Sequence, residues 1–192
     1  MHNEKYGDNA VLVNEKYIAS EEYHNKYVGI TGNAAVDDRI CEYSRDILRE
    51  RTGTMKETLV VLDKSNGDPI LTIKASGNDG IIYSNSDEEI IADAKRRGLE
   101  LIGIHNHPTG YPPTADDCVS ALIRGYDIGV TCGHNGTVHT YFPAEGLFTS
   151  DECNEIHSII AEECEFKTNI DDVLDIWKNT LSEFGMSIKE RR

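Results

Sequence analysis

Residues 103–117 read Gly-Ile-His-Asn-His-Pro-Thr-Gly-Tyr-Pro-Pro-Thr-Ala-Asp-Asp and gather the residue types that can do chemistry. On a strand, side chains repeat every two residues, so His105 and His107 leave the same face. Asp117 falls in the first turn of a helix that Thr114 can cap with its hydroxyl. Two imidazoles and a carboxylate on rigid elements amount to three protein ligands. They leave a fourth tetrahedral position for water, the pattern of a catalytic rather than a structural zinc site. Water held there has a pKa of roughly 7 and is a nucleophile at neutral pH. An isolated H-x-H also arises by chance. The Pro-rich loop, the hydroxyl and the aspartate at fixed offsets single this one out.

Those side chains need a strand, a loop and a helix in that order. Residues 99–104 read as a short apolar strand, Pro108 ends its pairing, and a Gly/Pro-rich loop leads to Thr114. The helix expected from there runs over 115–126 with Val119, Leu122 and Ile123 on one side. Upstream, Val36, Ile40, Tyr43, Ile47 and Leu48 recur at helical spacing from Asn33 to a stop at Gly53. Residues 57–63 and 70–73 flank an Asn66-Gly67 turn and predict a hairpin. The connector 74–85 includes Ile81, Ile82 and Tyr83 as a candidate short strand. Ser86-Asp87-Glu88-Glu89 reads as a capping box opening a helix that Lys95-Arg96-Arg97-Gly98 closes. Residues 128–134 and 137–141 predict a second hairpin about Asn135-Gly136. From 149 onward the pattern is helical, with Ile156, Ile159, Ile160, Phe166, Val173, Leu174, Trp177, Leu181 and Phe184 as the apolar positions. The order predicts an α+β fold, a three-layer α-β-α arrangement around a mixed β-sheet flanked by helices. Residues 1–32 are expected to form an irregular or partly helical arm, 33–148 the main domain and 149–192 a C-terminal helical extension.

The run His105-x-His107-Pro108, followed by Thr114-x-x-Asp117, resembles the metal-binding signature of the JAB/MPN+ (JAMM) zinc metallopeptidases. Residues 98–117 are most similar to the bacterial and phage branches, RadC-like proteins included, where H-N-H-P is common. The common pattern has seven residues between the second His and a Ser; this chain has six, and Thr114 stands for the Ser. The resemblance implies Zn²⁺ held by His105, His107 and Asp117, and a cytidine-deaminase-like JAB/MPN sandwich spanning about residues 33–142. It also implies a Glu general base on a strand some tens of residues upstream. Glu57, 48 residues before His105 and at the head of an apolar run, answers to it. Glu42 and Glu50 lie on the expected helix and answer less well, and Glu100 is too near the histidines in sequence. Thr114 would donate to the developing oxyanion. The implied activity is cleavage of a peptide or isopeptide bond in a peptide or protein substrate, with ubiquitin-like conjugates the best-known substrates of the family. The competing expectation is a noncatalytic MPN/RadC-like protein-binding module that keeps the fold and the metal site. A nucleobase deaminase is disfavoured, because its P-C-x-x-C ligand pair is missing.

Composition narrows the partners. The 192-residue chain carries a formal charge of −15, which argues against nonspecific nucleic-acid binding through phosphate contacts. It has no run of about 18 apolar residues that would span a membrane. Met1-His2-Asn3-Glu4-Lys5 does not lead into a signal-peptide core, so a cytoplasmic location is expected. Cys41, Cys118, Cys132, Cys153 and Cys164 show no C-x-x-C spacing and read as reduced, mostly buried thiols. Cys118, next to Asp117, is expected to pack on its helix rather than bind metal. His134 and His139 could be recruited as extra ligands, but are read as ordinary exposed or packed histidines. The terminal helices could pad the sheet, form a docking surface or pair copies into a homo-oligomer.

Overall fold

Apolar residues that alternate along the strands are sent to two separate cores. The computed structural model describes residues 12–78, 80–142, 150–164 and 170–192. Its six strands are β1 (Thr58–Asp63), β2 (Pro69–Lys74), β3 (Leu101–His107), β4 (Ile128–Gly133), β5 (Val138–Phe142) and β6 (Ser187–Glu190). They form one sheet in the order β2-β1-β3-β4-β5-β6. β3 and β4 run parallel and every other neighbouring pair is antiparallel. A parallel pair needs a crossover connection, and α5 (Ala115–Ile123) supplies it.

Val60, Leu62, Ile102, Ile104, Val130 and Cys132 point to one face, covered by α3 (Ala34–Arg51) and the two short helices α1 (Glu15–Ile18) and α2 (Glu21–Asn25). Leu59, Val61, Leu101 and Tyr141 point to the other. There they meet α4 (Asn85–Arg96), α5, α6 (Ser150–Cys164) and α7 (Ile170–Glu183). Helices on both faces of a mixed sheet give the α+β, three-layer architecture expected from the sequence. Among the described residues no helix is long and apolar enough to cross a membrane. Cys41, Cys118 and Cys132 are free and buried, and Cys118 packs among apolar neighbours.

Some local expectations hold and others are corrected. Residues 12–32 are partly helical, as expected, and Tyr17, Ile18, Tyr23, Tyr27 and Ile30 are part of the core under α3. Tyrosines conceal that role in a sequence, because a ring can be buried once its hydroxyl has a partner. Tyr23 and Tyr27 supply each other, their hydroxyls 2.6 Å apart. Ile81, Ile82 and Tyr83 form no strand, and Ser84, not Ser86, caps α4 in a reciprocal box with Asp87. Among the described side chains of α5 the buried ones are Cys118 and Ala121, while Ile123 is 69% exposed. The helix must turn the Asp117 side to the sheet, and positions 118 and 121 share that side. α6 and α7 supply the C-terminal helices expected, and β6 follows them. With Ile188 its one apolar residue, this edge strand has no hydrophobic alternation and exists by pairing with β5. The side chains of Phe166, Val173 and Leu174 lie outside the described residues.

His134 and His139 are both buried, at 0% and 4% exposure. His139 Nδ1 has no hydrogen-bond partner among the described residues. Burial, then the charges of His107, Lys178 and Lys26, push its pKa down to about 4. The folded chain therefore keeps His139 neutral where the unfolded chain, near about 6.5, would take up a proton. The stability from this group is present above about pH 6.5 and is lost as pH falls towards 4, on the order of 3 kcal/mol in all. Comparing urea unfolding at pH 7.5 and pH 5, His139→Phe is expected to shrink the acid-induced loss relative to wild type. An identical loss in both proteins would show that other groups carry it.

Candidate metal centre

β3 carries its residues alternately up and down, so Leu101, Gly103, His105 and His107 share the face towards α5. His105 lies opposite Leu59 on β1 and opposite Thr131 on β4, and His107 opposite Gly133. Both imidazoles are therefore held on a strand with a partner on either side, and both are buried. Asp117 arrives from the first turn of α5. Thr114 is the N-cap: its Oγ1 accepts from Asp117 N at 3.1 Å, and Thr114 N donates to Asp117 Oδ2 at 2.7 Å. This reciprocal box is reinforced by the Thr114 hydroxyl, which donates to the same Oδ2 at 2.7 Å. The helix N-terminus adds a partial positive charge that favours a carboxylate there. The loop before it is pinned from the β4–β5 turn, where Thr137 Oγ1 donates to the Gly110 carbonyl at 3.0 Å.

The three side chains converge. His105 Nε2 lies 3.3 Å from Asp117 Oδ1, and His107 Nε2 lies 3.2 Å from Asp117 Oδ2. The two Nε2 atoms are 3.0 Å apart. His107 Nδ1 donates to the Tyr111 carbonyl at 2.8 Å, which aims Nε2 inwards, the role an outer partner plays for a ligating histidine. All three donor atoms lie within 4.8 Å of one another, in a group that could hold a metal ion. Burial opposes the charged form of His107, but the hydrogen bond and charge of Asp117, with Glu57 and the Tyr111 carbonyl, hold its pKa up at about 9. Burial likewise pushes Asp117 upwards, and the two imidazoles outweigh it, holding the carboxyl well below its usual range. The pocket thus draws positive charge into the space between these three groups. Two imidazole nitrogens and a carboxylate oxygen fit a divalent ion such as zinc, with room for an exchangeable ligand. Cys118, His134 and His139 are not among the converging groups.

Glu57 stands one residue before β1, and its side chain lines the same cleft as His105, His107, Thr114 and Asp117. Burial raises its pKa, opposed by His105 and His107 and assisted by Asp117. All five residues singled out in the sequence are thereby brought to one cleft. The Thr114 hydroxyl donates to Asp117 Oδ2 and so helps to hold that carboxylate facing the histidines.

Asn106, the residue between the two histidines, reads in the sequence only as a spacer. Its side chain points to the opposite face and is completely buried. Asn106 Oδ1 accepts from Thr58 N at 2.8 Å, and its Nδ2 donates to the Lys56 carbonyl at 3.1 Å and to His134 Nε2 at 3.1 Å. Lys56 and Thr58 flank Glu57. One amide therefore ties the backbone on both sides of the carboxylate to the strand that carries the histidines. No short motif encodes such a clamp, because its partners are about fifty residues away.

No family model, no curated protein and no solved structure matches this chain.

Asn106→Ala removes the partner of the buried Thr58 N–H and the hydrogen bonds to the Lys56 carbonyl and His134 Nε2, and is expected to lower stability by about 2–4 kcal/mol. Denaturant unfolding checks this, and a loss below about 0.5 kcal/mol would show that the amide is not a clamp. Thr114→Ala should weaken metal binding about 10- to 100-fold, with Thr114→Ser close to wild type. Competition against a chromophoric chelator measures both. Equal affinity in wild type and Thr114→Ala would remove the hydroxyl from its positioning role.

Proposed function

We propose that this chain is a zinc-dependent hydrolase of the JAB/MPN+ type that cleaves a peptide or isopeptide bond. The observation that carries the proposal is the convergence of His105, His107 and Asp117 within 4.8 Å, in a cleft that Glu57 also lines. The resemblance of the H-N-H-P and Thr-x-x-Asp run to that family supports the same activity. A metal site alone would serve many chemistries; the half-buried carboxylate of Glu57 beside it supports hydrolysis assisted by a base.

Zinc bound by the three side chains would acidify water and polarise the scissile carbonyl. Glu57 accepts the proton of the attacking water and delivers it to the departing amine. Burial suits it to this work, since raising a carboxyl pKa moves it towards the working pH and makes the return of the proton easier. His105 and His107 act as neutral donors, which requires that His107 give up the proton that Asp117 favours. Thr114 and the Tyr111 carbonyl keep Asp117 and His107 in position. The sheet beneath excludes water from the back of the site, because every residue of β3 and β4 is buried.

Elemental analysis of the purified chain, supplied with zinc, is expected to find one zinc per chain, with His105→Ala and His107→Ala losing most of it. Absence of stoichiometric metal from the wild type would overturn the proposal. Glu57→Gln should retain zinc and the wild-type circular dichroism, while turnover of a peptide library, read as newly formed amines, falls at least about 100-fold. Equal turnover by wild type and Glu57→Gln would displace Glu57 as the base. Absence of turnover by both, with equal capture of one partner protein, would favour the binding-module alternative.

A further inference from the structure

The cleft holding the ligand cluster has a volume of about 380 Å³ and continues past it to walls made by Leu59, Tyr83, Ala121, Tyr126 and Tyr141. The register fixes where this second end lies. Gly103 precedes His105 by two residues on the same face of β3, about 7 Å along the strand, and it pairs with Gly129 on β4. The Tyr126 ring lies against Gly103, where an added Cβ would stand 2.7 Å from Cδ2. The Tyr141 ring lies against Gly129, where a Cβ would stand 2.0 Å from Cζ. Ala121 is four residues beyond Asp117, one turn further on the same side of α5. Leu59 sits opposite His105. The aromatic end therefore begins within one residue repeat of the ligands.

Its walls are built and braced. The Arg124 guanidinium stacks on the Tyr83 ring, 3.5 Å from the centroid. Arg124 is itself held by Ser120 Oγ at 2.7 Å and Glu88 Oε1 at 2.6 Å. The Tyr83 and Tyr126 hydroxyls pair at 3.2 Å, which turns the rest of both rings to apolar use. The charged side chains lining the cleft are Glu57, Asp116 and Asp117 with the two histidines, and no Lys or Arg is among the described lining residues. An anionic side chain would meet carboxylates and no cation. A cationic one would find no free carboxylate at the aromatic end, since the nearby Glu88 is paired with Arg124. The volume is at the small end of ligand sites, which run from roughly 300 to 1,000 Å³, so it suits one side chain beside the reacting group rather than a folded segment.

We infer that the Tyr83–Tyr126–Tyr141 end of the cleft is a subsite for one uncharged apolar side chain, aromatic or branched, on the residue next to the scissile bond. This rests on the hydrolase proposal and deepens it. A substrate with glycine next to the scissile bond, as in a Gly-Gly tail, leaves the subsite empty. A peptide bearing Phe, Tyr, Leu or Ile there fills it.

The test is calorimetric binding of hydroxamates to the zinc-loaded full chain, with metal content verified and the metal-free chain as control. N-acetyl hydroxamates of Phe, Leu, Gly and Asp place the side chain on the acyl side of the bond. Hydroxamoyl-acetyl amides of the same amino acids place it on the amine side. In one of the two series the Phe and Leu probes are expected to bind at least about tenfold more tightly than the Gly probe, with Asp weakest. Ala121→Leu, which fills the subsite, and Tyr83→Ala, which removes a wall at the half-buried edge, should each reduce that preference to less than about threefold while the Gly probe binds as before. Equal binding of all side chains in both series would overturn the subsite and leave the metal centre standing. So would a preference that survives both variants. No zinc-dependent binding by any probe would overturn the metal centre and the subsite together.

Discussion

The alternation of side chains along β3 is the constraint on which the centre depends. His105 and His107 can share one ion because Asn106 between them must point away, and Asn106 can clamp the β1 approach because the histidines do not compete for that face. A slip of one residue in the pairing with β1 or β4 would exchange the faces and put the imidazoles under α3. The register is protected from such a slip by burial on both sides. Every residue of β3 is buried, so no shift leaves the apolar residues equally well covered. The ladder that holds the sheet together is in this sense the same device that holds the two imidazoles side by side.

The third residue of the cluster is placed by different physics. Asp117 depends on a helix start, where the exposed backbone N–H groups and the dipole favour negative charge. The same carboxylate closes the capping box and faces the histidines, one oxygen towards each imidazole. Burying a carboxylate is costly unless charge or hydrogen bonds compensate, and here both do. The result is a pocket electrostatically prepared for a cation, beside a second carboxylate, Glu57, that burial pushes towards its neutral form. Two carboxyl groups within one cleft are thus driven in opposite directions by their surroundings, the arrangement by which proteins divide ligand and acid–base roles between identical groups.

The tyrosines give the molecule much of its shape. Tyr17, Tyr23 and Tyr27 close the core beneath α3, in a segment of only two short helices. Tyr126 and Tyr141 lie on the strands at Gly103 and Gly129, filling space that a side chain would otherwise occupy. In both places the ring supplies apolar area and the hydroxyl finds a partner or the cleft. A residue type that scores as half-polar in a sequence becomes structural or functional according to what its hydroxyl meets.

Residues close together in the chain announced themselves in the sequence. The H-x-H on a strand, Thr114 three residues before Asp117, the Asn-Gly turns, the helix from Asn33 and the α+β class all follow from periodicities and caps that act over a few residues. Such signals are local because hydrogen bonds within a turn or a helix are local. The Asn106 clamp, the packing of residues 12–32, the Ser84 cap, the buried face of α5 and strand β6 were decided by the tertiary structure alone. Each depends on a partner far away in sequence or on which of two surfaces a sheet covers. β6 illustrates this best: four residues with little apolar character become a strand because β5 offers an open row of N–H and C=O groups. An edge makes its own partner out of whatever chain reaches it, and no pattern within that chain can foretell the meeting.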